Sequence, residues 1–515
     1  MVRRFPVFCL LVWPLIGLQA QQPLAPAGAK PAATSSVTPP TASKPEPDPV
    51  STRHTLNAGG KTLNYTVTTG RLPIVNEQTD AVEAHMFFVA YTLNTDQPRT
   101  KRPLLISFNG GPGSASVWMH MGMIGPKRVR MTDDGAYPPP PFVLEDNPHT
   151  FLPYADLVFI DPVGTGYSRA VTAELGRKFF GVQGDIASVG EFIRLYLTRY
   201  DRWASPLYMI GESYGTFRAA GIAGYLVDRG VAFNGVMLIS TILNYQTVRF
   251  NKGNDLPNHL FLPTYTAIAW YHKKLAPELQ KADLRKALKE SEEYAQNEYP
   301  VVLAKGDRLT DAERKAAIDK LHRLTGLDRT FIDQNDLRIE IQHFTKELRR
   351  ADGHTVGRLD GRLDGVEGLN GAETPQFDPS MTAIRAPYTA LFVDYVRTAL
   401  NYKSDLQYYI LGGGIGPWDY GAGGQNQYVD TSDALRQAFA KNPYMKLYVG
   451  FGYYDLATPY FAAEYTLSHM GLPKIYQNSI TRSYFESGHM FYIHKPSLER
   501  VSREIGEFIS KSLPK

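Results

Sequence analysis

Gly211-Glu212-Ser213-Tyr214-Gly215 sets a serine between two glycines in a G-x-S-x-G pattern. Such a serine sits on a sharp strand-to-helix turn, and a side chain at either glycine would collide with neighbouring backbone. With 44 glycines in the chain, roughly 0.2 matches arise by chance, so the pattern alone says little. Its setting says more: Pro206–Ile210 ahead of it is apolar with strand character, and Thr216–Leu226 behind it reads as a helix. The chemistry implied is nucleophilic attack by the Ser213 hydroxyl on an acyl carbon; the competing reading is a structural turn serine.

An activated serine needs a base, and the base needs an acid to orient it. Asp455 ends Gly452-Tyr-Tyr-Asp455 after the apolar run Met445–Gly450, and His489 lies in Ser487-Gly-His-Met490 after Ile480–Phe485. The chain order serine, acid, histidine, with acid and base each after a late strand, is that of α/β-hydrolases. His272, His343, His469 and His494 lack such a setting and are read as structural or solvated.

Asn109-Gly110-Gly111-Pro112-Gly113 follows the strand-like Leu104–Phe108. A glycine-rich turn there turns backbone N–H groups toward the cleft, as a developing oxyanion requires, with Gly111 and Tyr214 as the donors. A tight turn and nothing more is the alternative. The loop lacks the Gly-Lys-Ser/Thr ending of a phosphate cradle, so nucleotide binding is not expected. There is no H-E-x-x-H, and the single Cys9 allows no C-x-x-C, so no metal and no cofactor are expected.

These groups must converge on one scaffold. Short apolar runs with strand character lie at His85–Leu93, Leu104–Phe108, Leu157–Asp161, Leu207–Gly211, Val236–Ser240, Met445–Gly450 and Ile480–Phe485, and several are nearly continuous, as suits a sheet covered on both faces. Helical patterns at Asp185–Tyr200 and Tyr214–Asp228 alternate with them, which predicts an α/β fold with a mostly parallel sheet. The alternation stops between 245 and 400. There Lys273–Ala295, Asp311–Leu324 and Phe331–Arg350 read as charged amphipathic helices. A tandem Gly357-Arg-Leu-Asp360, Gly361-Arg-Leu-Asp364 follows, able in principle to hold an ion through its two aspartates but better read as a polar loop. The expected organisation is a first core part at 51–244, a mainly helical cap inserted at 245–400, and a second core part at 401–515.

The 515 residues are 43% hydrophobic and 21% charged, the composition of an ordinary folded protein. A net charge of +4 gives nucleic-acid binding no support. Residues 1–20 read as an export signal: Arg3 and Arg4 precede a mostly apolar Val7–Leu18, with cleavage after Ala20. That run is too short for the ~20 residues of a membrane span and is interrupted by Pro14. Cys9 lies inside it, so the mature chain would carry no thiol or disulfide. Residues 21–50, rich in Pro, Ala, Ser and Thr, read as a flexible tether. A periplasmic or extracellular location is expected.

Taken together, Asn109-Gly-Gly-Pro-Gly-Ser114, Ile160-Asp-Pro-Val-Gly-Thr-Gly-Tyr-Ser168, Gly211-Glu-Ser-Tyr-Gly215, Gly452-Tyr-Tyr-Asp455 and Gly488-His-Met490 resemble the serine carboxypeptidases of the carboxypeptidase Y type. The resemblance runs from residue 106 to 490. It implies an α/β-hydrolase fold with a helical cap and release of C-terminal amino acids from peptides through an acyl-enzyme. It implies Ser213 as nucleophile, His489 as base, Asp455 as its orienter, and Gly111 with Tyr214 as oxyanion donors. Asn109, Gly110 and Glu212 would bind the substrate's terminal carboxylate, and Met490 would line the leaving-residue pocket. Glu212 must then hold a proton, because two touching carboxylates cannot both stay ionised, so peptide hydrolysis should be best at acidic pH. Two positions depart from the family: Met123 stands where many members carry a second glutamate, and Ser114 where they carry a cysteine. An esterase or acyltransferase using the same triad, and an inactive hydrolase fold used for binding, are the alternatives.

Overall fold

The computed structural model describes residues 46–425 and 427–513. The expected signal segment, Cys9 and the tether up to residue 45 lie outside them. The strand-like runs pair into a ten-stranded sheet. Its main strands are β1 (Val50–Ala58), β2 (Lys61–Val75), β3 (Val82–Leu93), β4 (Leu104–Phe108), β5 (Asp156–Ile160), β6 (Leu207–Ser213), β7 (Gly235–Thr241), β8 (Lys446–Gly452) and β9 (Ile480–Phe485). Their spatial order is β1-β2-β3-β5-β4-β6-β7-β8-β9, with Arg169–Ala170 paired to β3. From β5 to β9 every pairing is parallel, whereas β1, β2 and β3 join antiparallel at one edge.

The inner parallel strands are largely apolar because alternate side chains enter two different cores, whereas the edge strand β9 carries Thr481, Arg482 and Ser483. Ile106, Met209, Leu238 and Val449 face one core, shared with α1 (Val182–Arg199) and α2 (Tyr214–Val227). Leu105, Ile210, Met237 and Tyr448 face the other, shared with the C-terminal helix Lys495–Ser512. With both faces covered, period-2 alternation vanishes from the sequence.

The hairpin of β1 and β2 was not expected from the sequence. β1 alternates exposed and buried residues, and β2 carries Gly70 and Pro73, so neither reads as a continuous apolar run.

Within 245–400 the helices are shorter and differently broken than expected. In place of one helix over Lys273–Ala295, α3 (Leu262–Tyr271) and α4 (Leu284–Asn297) flank a break in which Lys273 takes a φ of +59°. Asp283 caps α4, accepting from the Lys286 N–H at 2.9 Å. The expected helix at Asp311–Leu324 is present as Asp311–Thr325, held by a Thr310/Glu313 capping box. Phe331–Arg350 splits into Arg329–Gln334 and Ile341–Glu347, around positive φ at Asp336 and Leu337. The amphipathic repeat runs across these breaks, so periodicity alone hides them. A further helix, Pro379–Thr398, closes the segment.

The tandem repeat forms the tip of a small hairpin, His354–Val356 paired antiparallel with Asp364–Val366. Its aspartates do not share an ion: Asp360 pairs with Arg362 at 2.6 Å and Asp364 with Arg349 at 2.7 Å.

Candidate active site

β6 passes directly into α2, and Ser213 is the residue at the turn, with φ +60° and ψ −130°. A serine held in that region carries strain of about 1–3 kcal/mol, which the surrounding structure must offset. The glycines explain how the turn closes. A Cβ at Gly211 would run into the carbonyl oxygen of Gly215, and one at Gly215 would meet the carbonyl oxygen of Phe108 at 2.9 Å. Thr216 ties the turn down, donating to the Ser213 carbonyl at 2.7 Å.

His489 and Asp455 meet in the loops after β9 and β8. His489 Nδ1 lies 2.7 Å from Asp455 Oδ2, which leaves Nε2 as the ring nitrogen for the serine. Asp455 is fully buried and further held by the Ala457 and Thr458 N–H groups at 2.7 and 3.1 Å and by the Thr458 hydroxyl at 2.7 Å. Burial alone would raise this carboxyl; the imidazole and these donors outweigh it and hold it below the usual range. On His489 burial acts downward, but the Asp455 and Glu212 carboxylates prevail and the imidazole is raised. The arrangement keeps Nδ1 protonated against the acid and suits His489 to take a proton. Ser240 fixes the same residue from behind, its hydroxyl donating to the His489 carbonyl at 2.6 Å.

Ser213, His489, Asn109, Gly110, Gly111, Glu212 and Met490 line one cavity of about 130 Å³. Of the residues expected at the site, Asp455 and Tyr214 do not line it: Asp455 stands behind His489, and Tyr214 is buried in the first turn of α2. The glycine loop and that turn approach so closely that a Cβ at Gly110 would strike the Tyr214 N–H. Gly111, at φ +102°, needs to be glycine for its conformation.

The wall beside the nucleophile carries two buried polar side chains, Glu212 and Asn109. Glu212 is 3% exposed, and burial pushes its carboxyl up to about 7. The Tyr492 hydroxyl donates to it. Asn109 Oδ1 accepts from the Met119 N–H at 3.1 Å, which fixes the amide; its buried Nδ2 makes no well-formed hydrogen bond, although the amide is close enough to Glu212 to favour the ionised carboxyl. A buried amide donor left unsatisfied costs about 1–3 kcal/mol, a penalty that an anionic ligand would remove. Met123 is fully buried in the apolar cluster and lines no part of the cavity.

Several supporting residues carry no local motif. Arg218 of α2 donates to the Asn109 carbonyl at 2.6 Å and pairs with the buried Asp185 at 2.7 Å, locking the glycine loop onto the helix. The hairpin tip at 357–362 touches both catalytic loops. The His489 N–H donates to the Leu359 carbonyl at 2.6 Å, and the Gly361 N–H to the Tyr454 carbonyl at 2.9 Å. Arg362 reaches the Ser487 hydroxyl at 2.9 Å. Only the tandem repeat marked this stretch in the sequence, and its role depends on contacts across 125 residues.

The four histidines read as structural or solvated have ordinary partners. His272 contacts the Gly361 carbonyl at 2.7 Å, His469 the Tyr465 carbonyl at 2.7 Å and His494 the Ser497 hydroxyl at 2.8 Å. His343 lies 3.5 Å from Glu373. Among the described residues no group of His, Cys, Asp and Glu has the geometry of a metal site, and no helix is long and apolar enough to cross a membrane.

Comparison with known proteins follows the same lines. The family model described as serine carboxypeptidase matches residues 69–489. Serine carboxypeptidase-like 36 of Arabidopsis thaliana is 29% identical over 170 residues, 31% of this chain and 33% of that protein. The retinoid-inducible serine carboxypeptidase of Mus musculus is 30% identical over 170 residues, 30% and 33% of the two chains. The chain thus spans about a third of the length of these relatives. In fold, it is similar to the crystal structure of a prohormone-processing carboxypeptidase from Saccharomyces cerevisiae, with a TM-score of 0.52 and 17% identity over 87% of this chain and 92% of that one. The architecture is that of an α/β-hydrolase.

Proposed function

This chain belongs to the serine carboxypeptidase family, and from that membership we propose that it removes C-terminal amino acids from peptides by serine-type hydrolysis. The observation that carries the reading is the pairing, in one cavity with Ser213, of an unsatisfied Asn109 amide donor and a Glu212 carboxyl raised to about 7. An esterase has no use for such a wall; a peptide ending in a free carboxylate does.

In this reading His489 takes the Ser213 proton as Oγ attacks the last peptide carbonyl. Asp455 steadies the resulting imidazolium, and the backbone N–H groups of Gly111 and Tyr214 receive the oxyanion. The imidazolium then protonates the departing amine, the C–N bond breaks, and an acyl-enzyme on Ser213 remains. Water, deprotonated by His489, attacks the ester, and the carboxylic acid leaves as Ser213 recovers its proton. Throughout, Asn109 Nδ2, the Gly110 backbone and protonated Glu212 hold the terminal carboxylate, and Met490 borders the leaving residue. Because Glu212 donates only while protonated, the peptidase works best at acidic pH.

The reading extends to the rest of the chain. The segment 245–400 acts as a cap over the carboxyl edge of the sheet, residues 21–50 as a tether, and residues 1–20 as an export signal that delivers the enzyme to the periplasm or the medium. Hydrolysis of one peptide as free acid and as C-terminal amide tests the central claim. Release of the last residue from the acid at least tenfold faster supports it; equal rates point to an esterase or acyltransferase.

A further inference from the structure

The hairpin tip brings into the cavity a cation that the reaction above leaves unused. Arg358 lines the cavity together with Ser213, His489 and Met490. Its guanidinium pairs with no carboxylate among the described residues, although most arginines around the insertion do pair.

The backbone at Arg358 is not free to wander. Its N–H donates to Asp378 Oδ1 at 3.2 Å, and its carbonyl accepts from the Leu456 N–H, next to the orienting acid, at 3.1 Å. The next residue, Leu359, donates to the Ser380 hydroxyl at 3.0 Å and accepts from the His489 N–H. The cation is therefore mounted on the same backbone network as the base. The Arg358 side chain is exposed, but its backbone is pinned to the loops that carry Asp455 and His489.

The flank on which it stands follows from its neighbours. The groups gathered at Glu212 are Asn109, which follows β4 on one side of β6, and Tyr492. The Arg358 charge acts instead on His489, after burial, Asp455 and Glu212, and on Tyr245, where burial dominates. Tyr245 follows β7, on the opposite side of β6. The cation thus lies away from the group that suits a terminal carboxylate, on the flank left for the acyl part of the substrate.

We infer that Arg358 is a specificity-determining residue: it pairs with an acidic side chain on the substrate residue whose carbonyl Ser213 attacks. The inference rests on the carboxypeptidase reading and adds the substrate class, peptides with Asp or Glu next to last. A charged hydrogen bond that the bound peptide covers from water corresponds to a preference of roughly tenfold.

The test uses three peptides of one length with the same leaving residue and Glu, Gln or Lys before it. The ratios of kcat/KM are measured for the full-length protein, Arg358→Gln and Arg358→Glu. Labelling of Ser213 by a fluorophosphonate shows independently that each variant retains a folded site. The original protein should favour Glu over Gln about tenfold, Arg358→Gln should lose that ratio, and Arg358→Glu should turn it toward Lys. Identical ratios in all three proteins overturn the inference. Labelling of Ser213 without release of any C-terminal residue overturns instead the carboxypeptidase reading on which it stands.

Discussion

The Asp360 carboxylate accepts the backbone N–H of Gly488, the residue before His489, at 3.2 Å. Asp360 also forms a buried pair with Arg362, which in turn donates to Ser487, so one insertion carboxylate organises the whole approach to the base. Removing it strands a buried guanidinium, a change that costs about 3–5 kcal/mol. Asp360→Ala should lower the melting temperature by several degrees and cut kcat about tenfold with little change in KM. Asp360→Asn, which keeps an acceptor for Gly488, should fall between. Wild-type kcat in a folded Asp360→Ala would show that the contact does not position His489.

In the proposed reaction Glu212 would set the pH dependence. Burial raises its carboxyl to about 7, so it is neutral and able to donate below that pH and ionised above it. Peptidase kcat/KM should therefore decline as pH rises through about 7. Glu212→Gln keeps a neutral donor at every pH, so activity should be retained at acid pH and gained at neutral pH. Glu212 raises His489 only while ionised, so below about pH 7 the acid limb of the profile should stay where it is in Glu212→Gln. An unaltered decline at neutral pH would separate Glu212 from the pH dependence.

Asn109 is the donor that waits for a partner. Truncation to Ala should raise KM for a free-acid peptide about tenfold, in line with a charged hydrogen bond of about 1.5–3 kcal/mol. The C-terminal amide of that peptide should be almost unaffected. Steady-state kinetics on the matched pair reads this directly, and equal losses on both would assign Asn109 to positioning of the glycine loop.

Ser213 itself should be a liability for stability. Relief of its strained φ favours glycine by about 1–3 kcal/mol, against roughly 0.5–1 kcal/mol lost to greater freedom in the unfolded chain. Ser213→Gly should therefore be inactive yet more stable by about 1 kcal/mol, visible as a melting temperature raised by a degree or more. A destabilised variant would mean that the turn is held without strain.

Much of this arrangement is legible along the chain because it is local. Gly211 to Gly215 encode the elbow in five residues, and the strand before Asp455 announces itself by an apolar run, the one before His489 less plainly because it carries Thr481, Arg482 and Ser483. Strands open to solvent on one face do not, which is why the β1–β2 hairpin escapes notice. Helix breaks at Lys273 and Asp336 are equally silent, since left-handed φ at these residues is imposed by packing and not by glycine. The supporting partners lie furthest from view. Arg218 reaches Asn109 across 109 positions, and Tyr492 reaches Glu212 across 280. Nothing in the local sequence of either marks the contact.

The hairpin at 354–366 has a consequence for how such enzymes diversify. Because its tip is stitched to the loops bearing both acid and base, the insertion cannot be swapped like a detachable lid. A transplanted insertion that lacks Asp360 and Arg362 would leave the loops bearing Asp455 and His489 unsupported. Selection for altered substrates is thus steered toward single side chains on that tip, with the backbone that carries them kept as it is.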